Sequence, residues 1–282
     1  MSRINSKTAS YPYQHPESGA GLFFFLAYLF TWSFHIAIPV QGFAFTFDIT
    51  SPAMLLYLIG LMGPLASALF LTARFERWKG VKRLLKGALL WRFNPIWYLF
   101  AIFIVALLRF ANIGLYINAI PIPLQWMNFG LLFIIGQLWV VIGEEYGWRG
   151  FALPRLQNQI GSLGASLVIG CLWASWHLPM FFIPGSPQYT DSFFYSFSRY
   201  VCLVTFWSII MTMLYNRTSG SLLVCMIFHA CLNIAAFTIR MPREANMMLY
   251  LYIPVVILAI MLLPRPLFVF NFFKRGNDSG RY

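Results

Sequence analysis

Glu144 and Glu145 stand side by side in VVIGEEYGWRGF, inside an apolar stretch, whereas the other six of the eight carboxylates (Glu17, Asp48, Glu76, Asp191, Glu244 and Asp278) fall in expected loops or tails. An ionised side chain at membrane depth costs from about 2.5 to more than about 10 kcal/mol, so it normally faces a cavity or a partner. On a helix the two glutamates have different surroundings. Glu145 and Arg149 are four residues apart and can pair across one turn. Glu144 points about 100 degrees away and is free to face something else. A plainer reading stays open, in which both glutamates only neutralise Arg149.

Two of the four histidines also lie deep in apolar runs: His177 in GCLWASWHLPMFF and His229 in CMIFHACLNIAAF. His35, in the first apolar run, is assigned to packing. Asn233 follows His229 by four residues, so both project from one stripe of a helix. Ordinary hydrogen bonding between helices would account for that pair equally well. If the chain turns back near Ile160 and Gly161, Glu144 and His177 each lie roughly 24 Å from the turn, at about 1.5 Å per residue. His229 lies about 15 Å beyond a second turn at Arg217 to Gly220, by the same rise. Three helices then bring a carboxylate, two imidazoles and an amide to one wet recess. Such a set suits hydrolysis. The carboxylate takes a proton from water, a histidine orients that water and returns a proton to the leaving amine, and N–H donors hold the oxyanion, each worth about 2.7–4 kcal/mol.

The elements that must position these groups are membrane helices. The chain has 282 residues, of which 60% are hydrophobic and 10% charged, against roughly 25% charged in a soluble domain. The fold class expected is all-α, a polytopic transmembrane bundle of about eight helices. Spans are predicted at 21–40, 53–73, 95–115, 128–149, 162–183, 196–215, 219–239 and 247–263, the third interrupted by Arg109. The fourth is expected to continue as helix into water to about Asn158. One bundle then occupies 21–263, with the polar motifs in a core at about 128–240 and tails at 1–20 and 264–282. The first run is too long for a signal-peptide core and is read as a retained helix.

With both ends on one side, sixteen of the twenty Lys and Arg residues fall on that side, leaving Arg109, Arg199, Arg240 and Arg243. That asymmetry predicts cytoplasmic termini in a cell membrane. It also accounts for the net charge of +12 without a nucleic-acid partner. Between Arg74 and Arg92, Lys79, Lys82, Arg83 and Lys86 recur at helical spacing with Val81, Leu84, Leu85 and Leu89 between them. This is the pattern of an interfacial helix lying on an anionic leaflet, or of a merely basic loop. Cys171, Cys202, Cys225 and Cys231 lie in apolar runs without a CxxC pair, and are expected to act as small buried apolar groups. There is no HExxH and no GxSG.

Three motifs in chain order are EExxxR at Glu144-Glu145-Tyr-Gly-Trp-Arg149, an aromatic-xxxH at Trp173-Ala-Ser-Trp-His177, and HxxxN at His229-Ala-Cys-Leu-Asn233. Together they resemble the CAAX prenyl protease and bacteriocin-processing (Abi, CPBP) family of intramembrane endopeptidases. The resemblance implies that Glu144 activates water with His177, that His229 and Asn233 hold the oxyanion, and that Glu145 and Arg149 support the site. Its substrate would be a membrane-embedded or lipidated peptide or protein, in a membrane that family membership suggests is bacterial. The family's FxxxH phenylalanine is Trp173 here, a change expected to reshape the pocket wall. The resemblance favours a metal-free mechanism with no cofactor; the alternative is a zinc site of Glu144, His177 and His229. Two other functions fit the same polar set. One is a proton-coupled carrier relaying through Glu144 and His177, disfavoured by the lack of an internal repeat. The other is a non-catalytic scaffold or bacteriocin-immunity factor.

Overall fold

The computed structural model describes residues 19–116, 131–238, 248–264 and 266–267. Most of the expected tails and the ends of several predicted spans lie outside these residues. Within them the chain is helical: α1 Ala20–Val40, α2 Pro52–Gly60, α3 Gly63–Lys86, α4 Ile96–Tyr116, α5 Leu131–Glu145, α6 Leu153–Trp176, α7 Phe193–Arg217, α8 Leu222–Thr238 and α9 Met248–Leu262. A π-helical turn, Tyr146–Ala152, joins α5 to α6. Five helical runs are long and apolar enough to cross a membrane, and Leu222–Ala236 and Tyr250–Leu262 are shorter apolar helices. The protein is a multi-pass helical membrane protein.

Two of the predicted spans, 128–149 and 162–183, fall on one continuous run, Ile135–Trp176, of 42 residues. A straight helix of that length would measure about 63 Å, twice a hydrocarbon core of about 30 Å. The run breaks at Gly161, with φ 78 and ψ 170, a backbone conformation that glycine adopts without steric penalty. The turn is therefore where the sequence suggested. Its approach is not. Tyr146 to Gln157 are all buried, and Asn158 is the first exposed residue. The helix continues as expected, but wrapped in protein rather than in water.

Glu76 corrects a second expectation. It lies within α3 rather than a loop, and its buried side chain pairs with Arg155 (Nη2–Oε1 2.5 Å) and Arg83. Arg155 also donates to the Phe151 carbonyl at 2.9 Å, with its guanidinium 3.6 Å from the Phe151 ring centre. The basic segment is indeed amphipathic helix. Gly80, Val81 and Leu84 turn inward, while Lys79, Lys82 and Lys86 turn out. It is set off from the first half of α3 by Arg77, whose φ 54 and ψ −161 put a non-glycine residue in a region costing about 1–3 kcal/mol. Arg109 does not interrupt α4; it is buried within it. The thiols are free, and only Cys225 is buried, Cys171 and Cys202 being exposed. The expectation of four buried cysteines is corrected accordingly: Cys231 is only partly covered at the edge of the core, and the exposed Cys171 meets the Thr205 hydroxyl at 3.8 Å.

Close helix packing depends on glycine where α6 meets α7. A Cβ on Gly170 would lie 2.5 Å from the Thr205 Cα, and a backbone atom cannot yield as a side chain can. Gly170→Ala is therefore expected to destabilise the bundle by about 1–3 kcal/mol, the usual range for overpacking. Gly136→Ala, facing open space, should leave the thermal unfolding midpoint in detergent unchanged. Equal midpoints for the two variants would show that the α6–α7 approach is not constrained.

Candidate active site

The site is built where α5 ends and the wider π turn begins, an irregularity often found at functional positions. Small residues let the α2–α3 junction and the start of α3 lie along this stretch. A Cβ on Gly143 would meet the Leu61 carbonyl at 2.7 Å, and one on Gly147 would meet Pro64 at 2.4 Å. Tyr146 ties the same stretch down by donating to the Leu85 carbonyl at 3.1 Å.

Glu145 is fully buried and shared by two groups through one oxygen. Arg149 Nη1 donates to its Oε1 at 3.1 Å, and His229 Nδ1 lies 2.8 Å from the same atom. The Arg149 guanidinium lies 4.3 Å over the Trp173 ring, a cation–π contact that strengthens away from water. Glu144, 1% exposed, has a different partner: its Oε2 accepts from Trp173 Nε1. The adjacent carboxylates thus face separate surroundings, as helical geometry predicted.

His177 caps α6, and its Nδ1 lies 2.9 Å from the Trp173 carbonyl. A carbonyl can only accept, so Nδ1 carries the proton and the neutral ring leaves a lone pair on Nε2. His229 is likewise held at Nδ1, here by a carboxylate, and stands edge-on to the Trp173 ring at 5.1 Å. Glu144 and His177 share no hydrogen bond; Trp173 links them, through its indole N–H to one and its carbonyl to the other. Asn233 follows His229 on α8, half-buried, and no hydrogen bond joins it to the other candidates. The structure therefore brings Glu144, Glu145, Arg149, His177 and His229 together around Trp173, while Asn233 is related through its helix alone.

Several neighbours were not foreseen. Trp173 was expected only to reshape a wall, yet its donor holds Glu144, a bond that phenylalanine cannot make. Trp176 and Tyr200 stand edge-on to His177, at 4.7 and 5.5 Å. Tyr57 and Tyr200 are within electrostatic range of Glu144. His35, assigned to packing, stacks on Tyr57 at 5.3 Å and donates from Nε2 to the Tyr57 carbonyl at 3.3 Å. It also lies within electrostatic range of His177. No sequence spacing pointed to Tyr57 or Tyr200, because they come from distant helices. Among the described residues no three His, Cys, Asp or Glu side chains converge closely enough to hold a metal ion.

Residues 125–235 match the Rce1-like family of type II CAAX prenyl endopeptidases. That stretch contains Glu144, Glu145, Arg149, Trp173, His177, His229 and Asn233. The CAAX prenyl protease 2 of Methanococcus maripaludis is 32% identical over 94 residues, which is 32% of this chain and 34% of the relative. The match spans about a third of that relative's length. The family resemblance inferred from the three motifs is thereby supported over the segment that carries them.

The Rce1-like segment contains two glutamates with different partners, and they should fail differently. Glu145→Gln strands Arg149 without its counter-charge, a change expected to cost about 3–5 kcal/mol. Glu144→Gln keeps an acceptor for Trp173 and strands no cation, so its thermal midpoint should stay close to that of the unaltered protein. Comparable losses in both variants, measured by thermal unfolding in detergent, would contradict this division.

Proposed function

We propose that the chain is an intramembrane endopeptidase that hydrolyses a peptide bond of a membrane-embedded or lipidated peptide or protein. The observation that carries this reading is the contrast between the glutamates. Glu145 is committed to Arg149 and His229, whereas Glu144 is buried, bound by the Trp173 indole N–H with the Trp148 indole close by, and paired with no Lys or Arg among the described residues. A carboxylate so placed is available as a general base.

In this reading Glu144 takes a proton from water while the His177 Nε2 lone pair accepts that water's other hydrogen and aims its oxygen at the scissile carbonyl. The new C–O bond produces a tetrahedral oxyanion. Asn233 donates to it from its amide, and His229 donates from Nε2 when that nitrogen carries a proton, with Glu145 as counter-charge at Nδ1. Collapse breaks the C–N bond, and the amine leaves with the proton that Glu144 took from water; it comes from Glu144 and not from a histidine as the sequence suggested, because His177 Nε2 only accepts here. The lipidated substrate class comes from the matched family, which is described as type II CAAX prenyl endopeptidases. The loop charges read from the sequence support a reading with both termini on the cytoplasmic side.

Glu144→Gln should lower kcat by about 10²–10⁴-fold with the thermal midpoint retained; undiminished cleavage in that variant would refute the assignment. Asn233→Ala should lower kcat by about 10²–10³-fold, as loss of an oxyanion donor does. For the orientation, a cysteine label at either terminus should be protected from impermeant reagents in intact cells, and labelling from outside would reverse the topology.

A further inference from the structure

The second half of α3 is clasped to the site on one side and unpartnered on the other. Between Arg74 and Arg92 there are seven Lys and Arg residues and a single carboxylate, Glu76. Glu76 faces inward and is occupied by Arg155 and Arg83. Lys79, Lys82 and Lys86 point outward with no carboxylate partner among the described residues. Large apolar side chains share that outer surface: Trp78 is 63% exposed, Leu89 71% and Trp91 58%. Lys82 lies over the Trp78 ring at 5.8 Å, and Arg92 over the Trp91 ring at 4.8 Å. Cations alternating with exposed indoles and leucines, at the end of a membrane helix, match the chemistry of a bilayer surface, where the rings seat among headgroups and the charges meet anions.

The inner side of the same segment touches the π turn. A Cβ on Gly150 would lie 2.7 Å from Leu84, Tyr146 donates to the Leu85 carbonyl, and Glu76 holds Arg155 just beyond the turn. The segment keeps this position through the strained backbone of Arg77, so something besides local preference must hold it there.

We propose that the outer face of residues 78–92 binds anionic phospholipid headgroups, and that this contact holds the π turn carrying Arg149 in place. The lipid contact stands on its own geometry; an effect on cleavage rests in addition on the peptidase reading. Charge favours anionic lipid over a protein partner, because the three lysines are spread along one turn after another of a surface helix rather than gathered in a groove.

The test compares the full chain in nanodiscs of phosphatidylcholine alone and of phosphatidylcholine mixed with phosphatidylglycerol, by hydrogen exchange of residues 146–156. Exchange should be at least about fivefold slower with the anionic lipid, and the difference should shrink in high salt. In the triple variant Lys79→Gln, Lys82→Gln, Lys86→Gln, the two nanodiscs should give the same rates. Identical rates for the unaltered chain in both lipids would overturn the proposal, as would a variant that still responds. Protection by anionic lipid without cleavage of any substrate would count against the peptidase reading alone. Cleavage without lipid-dependent protection would count against this proposal alone.

Discussion

Glu145 holds an arginine and a histidine from two helices on a single oxygen, out of reach of water. Removing any member of such a group leaves a charge or a donor stranded in low dielectric, which is far more costly than the net gain from forming the set. Arg149 is fixed relative to Glu145 by the chain itself, four residues on. His229 is not: it arrives from α8, and its position beside Glu145 docks that helix against the α5 terminus. The further face of the Arg149 guanidinium rests on Trp173, which brings in α6. One carboxylate thus sets the relation of three helices, and everything on Trp173 inherits it.

The packing around this group explains why glycine recurs there. A buried ion set tolerates little movement, so the neighbouring backbone must come close and stay close. Gly143 lets the α2–α3 junction, and Gly147 the start of α3, come close against the α5 end and the π turn. Glu76 and Arg155 close the far end of the same contact with a second buried pair. The π turn between the two pairs is therefore pinned at both ends, which is how a backbone irregularity of this kind is kept in one register.

The sequence was most legible where a residue type is out of place. Carboxylates and histidines in apolar runs marked Glu144, Glu145, His177 and His229, and helical spacing assigned Arg149 to Glu145. The turn at Gly161 and the approximate positions of α1, α4, α5, α7, α8 and α9 followed from hydropathy and glycine placement, whereas the predicted span 53–73 divides into α2 and α3 and the span 162–183 ends as α6 at Trp176. Glu76 was misread because a carboxylate surrounded by arginines and lysines looks like a surface loop. Its burial comes from Arg155, 79 residues away, a long-range pairing that local pattern does not encode. Trp173 was read as bulk because an indole in an apolar run is usually that; its donor mattered only once Glu144 stood opposite. Tyr57, Tyr200 and His35 gather around the same place from helices whose mutual packing the sequence leaves open.

The two histidines show how acceptor type can divide otherwise equal groups. Both are anchored at Nδ1, so both offer Nε2 to whatever occupies the site. His177 is anchored by a neutral carbonyl, which fixes the tautomer but adds no charge to balance an imidazolium. His229 is anchored by a carboxylate, which does both. The first arrangement suits a ring that stays neutral and accepts from water. The second puts a counter-charge behind a ring that faces a developing negative charge. The proposed assignment of water to His177 and oxyanion to His229 therefore needs no difference between the rings themselves, only the difference between a peptide oxygen and Glu145.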